Sequence, residues 1–394
     1  MDVPRLGVVS MFYASGFGLM LFSLPLTAYN INSDLLVVGV VAAVPAAASM
    51  LSALPAGNLI DSYGRKKTAL IGLSLMLCSA SLMGRIHSTG ALALAGAILG
   101  VGSQLIYSSL KVCLFDTAPR GSTSRYFGAV AAAFQLGLAS GPVIGGHLLL
   151  RGVEEGLADA YMFAAADFAI LLIVFAFTPP AAGEPETRVK QRLRDFMLGG
   201  LRDYVEMGRV GVVILWSTAL FTACEGMVWA LEPLLIRHHG MDSFEAGATL
   251  SMFIIPFIIF NIPAGAVADR VGGLNVLAPA LFAAGASLIL FASSEETTHM
   301  LFFAFLSTTA LAFAWTSTAG LLADARRRRR MGGVVGVWNV FEELGYVVGP
   351  LLGGVIAHHS TIQAPILLLG AAMAASGLAV KFTLTRQYIG SEKQ

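Results

Sequence analysis

Apolar residues run along this chain in long blocks. Twelve of them have about the 20 residues a helix needs to cross a bilayer: roughly 7–28, 35–56, 68–86, 90–115, 125–150, 158–178, 211–236, 244–266, 274–293, 298–323, 332–357 and 361–384. The blocks do not alternate apolar and polar residues, as barrel strands do. Each therefore predicts a membrane-spanning helix. One connection is long, from Thr178 to about Val210. It opens on Pro179-Pro180 and carries Arg188, Lys190, Arg192, Arg194, Arg202 and Arg209. The pattern predicts an all-α membrane protein: a six-helix bundle over 1–178, a basic cytoplasmic linker over 179–210 and a second six-helix bundle over 211–394.

Composition agrees. Of 394 residues, 56% are hydrophobic and 12% charged, where a soluble domain has about 25% charged. Mean hydropathy is +0.75. This excludes a soluble fold, and it excludes disorder, which needs charge and little apolar content. With 25 basic and 24 acidic residues, no nucleic-acid partner is expected. Cys78, Cys113 and Cys224 lie far apart in apolar runs and read as packing residues; no metal ligand set and no cofactor are expected. The first block lacks a small-residue cleavage site and reads as the first span. With the N-terminus in the cytoplasm, 21 Lys and Arg fall inside and 3 (Arg85, Arg151, Arg237) outside, with Lys111 within a span. That bias places both termini in the cytoplasm, and a plasma or inner membrane is expected.

The halves repeat at an offset of 208 residues. Pro25 matches Pro233, Asp34 matches Asp242, and Gly39 matches Gly247. Pro55-Ala56-Gly57 matches Pro263-Ala264-Gly265. Asp61, Gly64, Asp116 and Gly128 match Asp269, Gly272, Asp324 and Gly336. Gly141-Pro142 matches Gly349-Pro350, and Gly145-Gly146 matches Gly353-Gly354. One register over five helices predicts two parallel repeats related by an axis along the membrane normal.

The loop after span 2 reads Gly57-Asn-Leu-Ile-Asp61-Ser-Tyr-Gly64-Arg65-Lys66-Lys67, and the second half repeats it as Gly265-Ala-Val-Ala-Asp269-Arg270-Val-Gly272 without the trailing basic cluster. Gly57 and Gly64 allow close helix approach and a tight turn. An acid at a helix C-terminus, as Asp61 is, calls for a positive neighbour. Arg65 and the N-terminal end of span 11 are the two candidates. Loop, position and internal repeat together resemble the signature of the major facilitator superfamily over essentially the whole chain. The resemblance implies that Asp61 meets span 11, with a relay from Arg65 to an acid at the foot of span 4, where Asp116 stands. Gly57, Asp61, Gly64, Arg65, Asp116, Gly265, Asp269, Arg270 and Gly272 are thus expected to form a cytoplasmic gate.

Span 5 carries Gly137-x3-Gly141-Pro142-x2-Gly145-Gly146, and span 11 carries Gly345-x3-Gly349-Pro350-x2-Gly353-Gly354. Small residues at this spacing let helices pack backbone to backbone, and proline kinks the span. The pattern resembles the superfamily's span-5 motif of exporters that exchange substrate for protons. Such exporters also carry an arginine ahead of a G-x-G in span 4. Here that stretch is Ala95-Gly96-Ala97-Ile98-Leu99-Gly100-Val101-Gly102, with no arginine.

Ionisable side chains inside a span are costly, so each is a functional candidate. By the resemblance, spans 1, 4, 7 and 10 line the cavity. Span 7 places Glu225, Trp229 and Glu232 on one face, with Glu232 expected at the solvated outer end. Span 4 carries Gln104, Tyr107 and Lys111 on one stripe. Phe17 is the repeat equivalent of Glu225, and Tyr107 that of Trp315. Tyr13, Phe17, Tyr107, Glu225, Trp229 and Trp315 form the expected pocket, with Gln104 on the same stripe as Tyr107 and Lys111 a layer below Glu225. Asp167 in span 6 is expected to play a structural role. Of Glu342 and Glu343 in span 11, one faces the interior, and the sequence does not choose between them. Arg326–Arg330 is expected to meet anionic headgroups.

No HExxH, GxSxG or phosphate loop occurs in the chain, so no enzyme and no catalytic residue is expected. No segment is large enough for a soluble receptor domain. The expected function is secondary active transport by alternating access. Proton-coupled export of a small amphipathic or cationic compound by a monomer leads, and uptake of a small organic solute is the alternative.

Overall fold

The computed structural model describes residues 3–117, 123–177, 201–202, 204–326 and 331–391, with the side chains at 61, 115–117, 123–128, 323–326 and 331–336 among those outside the description. Twelve stretches of helix among the described residues are long and apolar enough to cross a membrane. Spans 1 to 6 are Val3–Ile31, Leu35–Tyr63, Arg65–Met83, Thr89–Thr117, Thr123–Leu148 and Val153–Phe177. Span 7 is Arg209–His238. Spans 9 to 12 are Gly273–Ala292, Thr297–Arg326, Met331–His359 and Ala364–Ser391. Large apolar side chains stay outside, Phe177 and Ile262 at 85% exposure among them. Such a surface suits lipid and not water.

Span 8 differs from the sequence expectation of one helix. It is two pieces, Ser243–Met252 and Ile255–Val271. Pro256 has no N–H to continue the ladder, and the Phe257 N–H instead donates to the Ile254 carbonyl at 3.0 Å.

Several repeat matches acquire local physical meaning. Asp34 caps span 2, accepting from the Leu36 N–H at 2.8 Å. Its match Asp242 forms a reciprocal capping box with Glu245, with both bonds at 2.8 Å. Gly64 and Gly272 end spans 2 and 8 with φ of 82° and 95°, and their N–H groups close onto Ile60 and Ala268. Gly64 has ψ 160° as well, a region that only glycine enters at low cost. Gly64→Ala is therefore expected to lower stability by about 1–3 kcal/mol. Thermal unfolding in detergent reads this, and an unchanged midpoint would contradict it. Beside this turn, Lys66 Nζ donates to the Ala176 carbonyl at the end of span 6 at 2.8 Å, the place where a helix C-terminus favours a cation.

The chain forms two compact units. The first comprises Met1–Val189 with Trp229–Ser251, the second Lys190–Val228 with Met252–Gln394. In the second, the end of the long connection is anchored: Tyr204 is buried with Ile214, Leu215, Leu322 and Val337.

Candidate functional site

In the first unit, spans 1, 4 and 5 bring an aromatic cluster together. Tyr13 stacks on Phe17 with centroids 5.9 Å apart. Phe134 of span 5 lies 5.9 Å from both Tyr13 and Tyr107. Tyr13 is buried, and its hydroxyl donates to the Ser103 carbonyl at 3.3 Å. Lys111 Nζ sits 4.1 Å above the centre of the Tyr107 ring, a cation–π geometry. Gln104 is held at both ends: Ser49 Oγ donates to its Oε1 at 3.0 Å, and its Nε2 donates to Ser108 Oγ at 3.1 Å. Asp167, expected to play a structural role, is buried in span 6 with its carboxyl against Gly16.

In the second unit, Tyr346 donates from its hydroxyl to Glu225 Oε2 in a short hydrogen bond. Glu342 lies close enough for its charge to act on Glu225, and Glu225, Glu342 and Glu343 all act on Tyr346. Of the two neighbouring acids, Glu342 is the one whose charge acts on Glu225. An aromatic row adjoins them. Phe257 meets Phe221 edge-on at 5.6 Å, Phe221 lies 4.8 Å from Trp315, and Trp315 stacks on Trp338 at 5.2 Å. The Trp338 indole N–H donates to Thr218 Oγ1 at 2.6 Å. Phe221 stands one helical turn before Glu225 and Trp338 one turn before Glu342, and acid and ring together offer a cation both charge and π surface.

Trp229 belongs to the first unit and is 9% exposed. Glu232 corrects the sequence reading. Its expected solvated position is instead fully buried, at 0% exposure, because protein covers every face of the helix there.

The glycine-proline helices are packed more tightly than spacing alone suggests. A Cβ on Gly137 would overlap the Met11 carbonyl, and one on Gly141 the Leu19 N–H. One on Gly145 would press on the Phe22 ring, and one on Gly146 would overlap the Ser243 carbonyl. In span 11, Gly345 meets Thr222 and Gly349 meets the Ala223 carbonyl, while Gly226 of span 7 faces Pro350. Gly353 and Gly354 are buried.

The family model of the Major Facilitator Superfamily matches residues 6–224 and 214–394. The chain belongs to the major facilitator superfamily. It is a multi-pass integral membrane transporter of that fold. Among relatives, the class G tetracycline resistance protein of Vibrio anguillarum is 24% identical over 305 residues, spanning 75% of this chain and 74% of the relative. The class B tetracycline resistance protein of Escherichia coli is 23% identical over 367 residues, spanning 90% and 88%. The crystal structure of the nucleoside transporter NupG superposes with a TM-score of 0.78 at 14% identity, covering 98% of this chain and 99% of that one. At that identity the likeness shows the fold alone.

The superfamily's signature loop is seen only in part. Gly64 and Gly272 turn as described, and Asp269 and Arg270 are exposed. Gly57 and Gly265 have nothing within 4 Å of where a Cβ would stand, so the close approach expected at Gly57 is not seen. The Asp61 and Asp116 side chains lie outside the described residues, as does most of Arg326–Arg330. Arg65 has a partner of its own.

Sequence reasoning missed Phe134, Phe221, Trp338 and Tyr346. One signal was available. Trp338, Glu342 and Tyr346 recur every four residues and so share a helix face, which would have favoured Glu342 over Glu343. The paired contacts Thr218–Trp338 and Glu225–Tyr346 then follow from parallel packing of spans 7 and 11 at a nearly constant separation of 120 and 121 residues.

Proposed function

We propose that the chain exports a small amphipathic or cationic organic compound in exchange for protons, by alternating access of two six-span halves over 1–178 and 211–394. The observation that carries this reading is the Glu225–Tyr346–Glu342 group beside the row Phe221, Trp315 and Trp338. Two acids whose charges act on each other gather negative charge in one place. Such a pair holds either protons or an organic cation, and that exclusion is the basis of exchange. The tetracycline resistance proteins among the relatives support an exported substrate. The alternative, uptake of a polar solute, draws on the hydrogen-bonded Ser49–Gln104–Ser108 chain.

The test uses purified protein in proteoliposomes with ethidium and tetracycline as probes. Imposing a pH gradient is expected to drive probe accumulation against its own gradient. Flux that ignores the pH gradient would overturn proton exchange.

In this reading both termini are cytoplasmic, the membrane is the plasma or inner membrane, and the working unit is a monomer. Asp61 and Arg65, with Asp116, Asp269 and Arg270, form the cytoplasmic latch. Asp61→Asn is then expected to weaken closure on the cytoplasmic side. A cysteine reporter in the cavity should label several times faster from that side, by roughly the 0.3–1 kcal/mol an acid contributes near a helix N-terminus. Unchanged labelling from both sides would remove the latch.

A further inference from the structure

From Gly226 to Ile236 every residue of span 7 is buried. A helix in a bilayer protein meets lipid on any face that protein leaves open. This stretch has no such face. Glu232 lies within it at 0% exposure, and neither carboxyl oxygen has a hydrogen-bond partner among the described residues. Its repeat equivalent is the apolar Leu24, 1% exposed.

The charged and titratable groups around the outer half of this unit do not serve it. On its own helix, Glu225 lies two turns inward and bonds Tyr346, while Arg237 and His238 stand at the outer end, followed by His239, whose buried Nε2 has no hydrogen-bond partner among the described residues and whose ring meets that of His238. Asp242 and Glu245 cap the start of span 8. Arg151, in the turn after span 5, pairs with Asp159 of span 6 at 3.8 Å, and Asp167 packs against Gly16. No charged group among the described residues, on span 7 or on any element packed against it, acts on the Glu232 carboxyl. An isolated buried carboxylate is far costlier than the neutral acid.

Glu232 belongs to the stretch Trp229–Ser251 that goes with the first unit, and the later part of that stretch, the start of span 8, packs on span 5. Gly146 of span 5 packs on Ser243 and Phe244, Gly247 packs on Pro142, and Ser251 Oγ donates to the Ala139 carbonyl at 2.7 Å.

We propose that Glu232 is a proton-binding site loaded from the outside, and that it must hold a proton before the outer ends of spans 7 and 8 pack onto span 5. One proton moves and no electron does. The carboxyl O–H bond forms with a proton from external water as the seam closes, and that proton returns to external water when the seam opens. Uptake and release are both external, so this step gates the outer face without carrying a proton across the membrane, and it rests on the reading of the preceding subsection only for the opening and closing of that face.

The test needs no substrate. In right-side-out vesicles, Cys78, Cys113 and Cys224 are replaced by alanine, and Ser243→Cys reports on the seam. Labelling by a membrane-impermeant maleimide is divided by that of Glu295→Cys, an exposed outer-loop site, which removes the intrinsic pH dependence of thiol chemistry. The ratio is expected to rise with external pH, by at most about tenfold per pH unit, the limit for one linked proton. With Glu232→Gln it stays low and flat, because a neutral side chain always permits closure. Glu232→Leu, carrying the residue of the repeat position, should behave alike and serves if the first variant folds poorly. A flat ratio without these changes, or a rise that survives them, overturns the proposal. Failure of proton-coupled export reads differently: flux then ignores the pH gradient while labelling still follows external pH.

Discussion

Glu225→Gln loses pH-driven flux of a cationic probe such as ethidium while expressing and folding normally. The substitution keeps the shape of the side chain and leaves an acceptor for the Tyr346 hydroxyl, so packing between spans 7 and 11 survives. What disappears is the charge. A hydrogen bond to a charged group contributes about 1.5–3 kcal/mol, which corresponds to a loss of roughly tenfold to a hundredfold in cation affinity. The remaining acid, Glu342, no longer has a second carboxylate charge acting beside it. Tyr346→Phe separates the two effects. It removes one donor and keeps both acids, so its loss should be nearer the ~1 kcal/mol of an ordinary hydrogen bond and should leave the response to a pH gradient in place. Wild-type flux in Glu225→Gln proteoliposomes would show that the acid takes no part in binding or coupling.

Gly349→Ala and Gly141→Ala each destabilise the protein, by the ~1–3 kcal/mol typical of overpacking, and leucine at either position prevents folding. Spacing by itself suggests that alanine would be tolerated and only large side chains excluded. The structure revises this: the first carbon of any side chain already meets backbone, the Ala223 carbonyl at Gly349 and the Leu19 N–H at Gly141. A backbone atom of a packed helix cannot rotate away as a side chain can. Gly57→Ala is the contrast. Nothing stands within 4 Å of its Cβ position, so alanine there should leave stability unchanged or raise it by the ~0.5–1 kcal/mol that separates the two residues in a helix. Thermal unfolding of the purified variants ranks them. Equal midpoints for Gly349→Ala and Gly57→Ala would mean that the helices are not in backbone contact.

Much of the site was legible residue by residue, though not as an arrangement. Glu225, Tyr107, Trp315 and Tyr13 all lie in aromatic or acidic clusters, because ionisable and aromatic groups at helical spacing in spans 1, 4, 7 and 10 stand out against the apolar background. Their partners did not stand out. Phe134, Phe221 and Trp338 are ordinary core residues in a chain with 24 Phe and 4 Trp. Only packing shows that Phe134 completes the cluster of the first unit, and Phe221 and Trp338 the row of the second.

The sequence by itself determined the twelve spans, their all-α class and the internal repeat. A bilayer forces each crossing to be apolar helix that satisfies its own backbone, and helix caps such as Asp34, Asp242, Gly64 and Gly272 act on their immediate neighbours. Both are local constraints, so they are written locally. Three things were decided only in three dimensions: the break of span 8 at Pro256, the approach of Glu342 to Glu225, and the complete burial of Glu232. A carboxyl near the end of a span reads as solvated when only its own helix is considered. Whether protein, lipid or water covers it depends on which helices pack around it, and hydropathy along one chain carries no record of that.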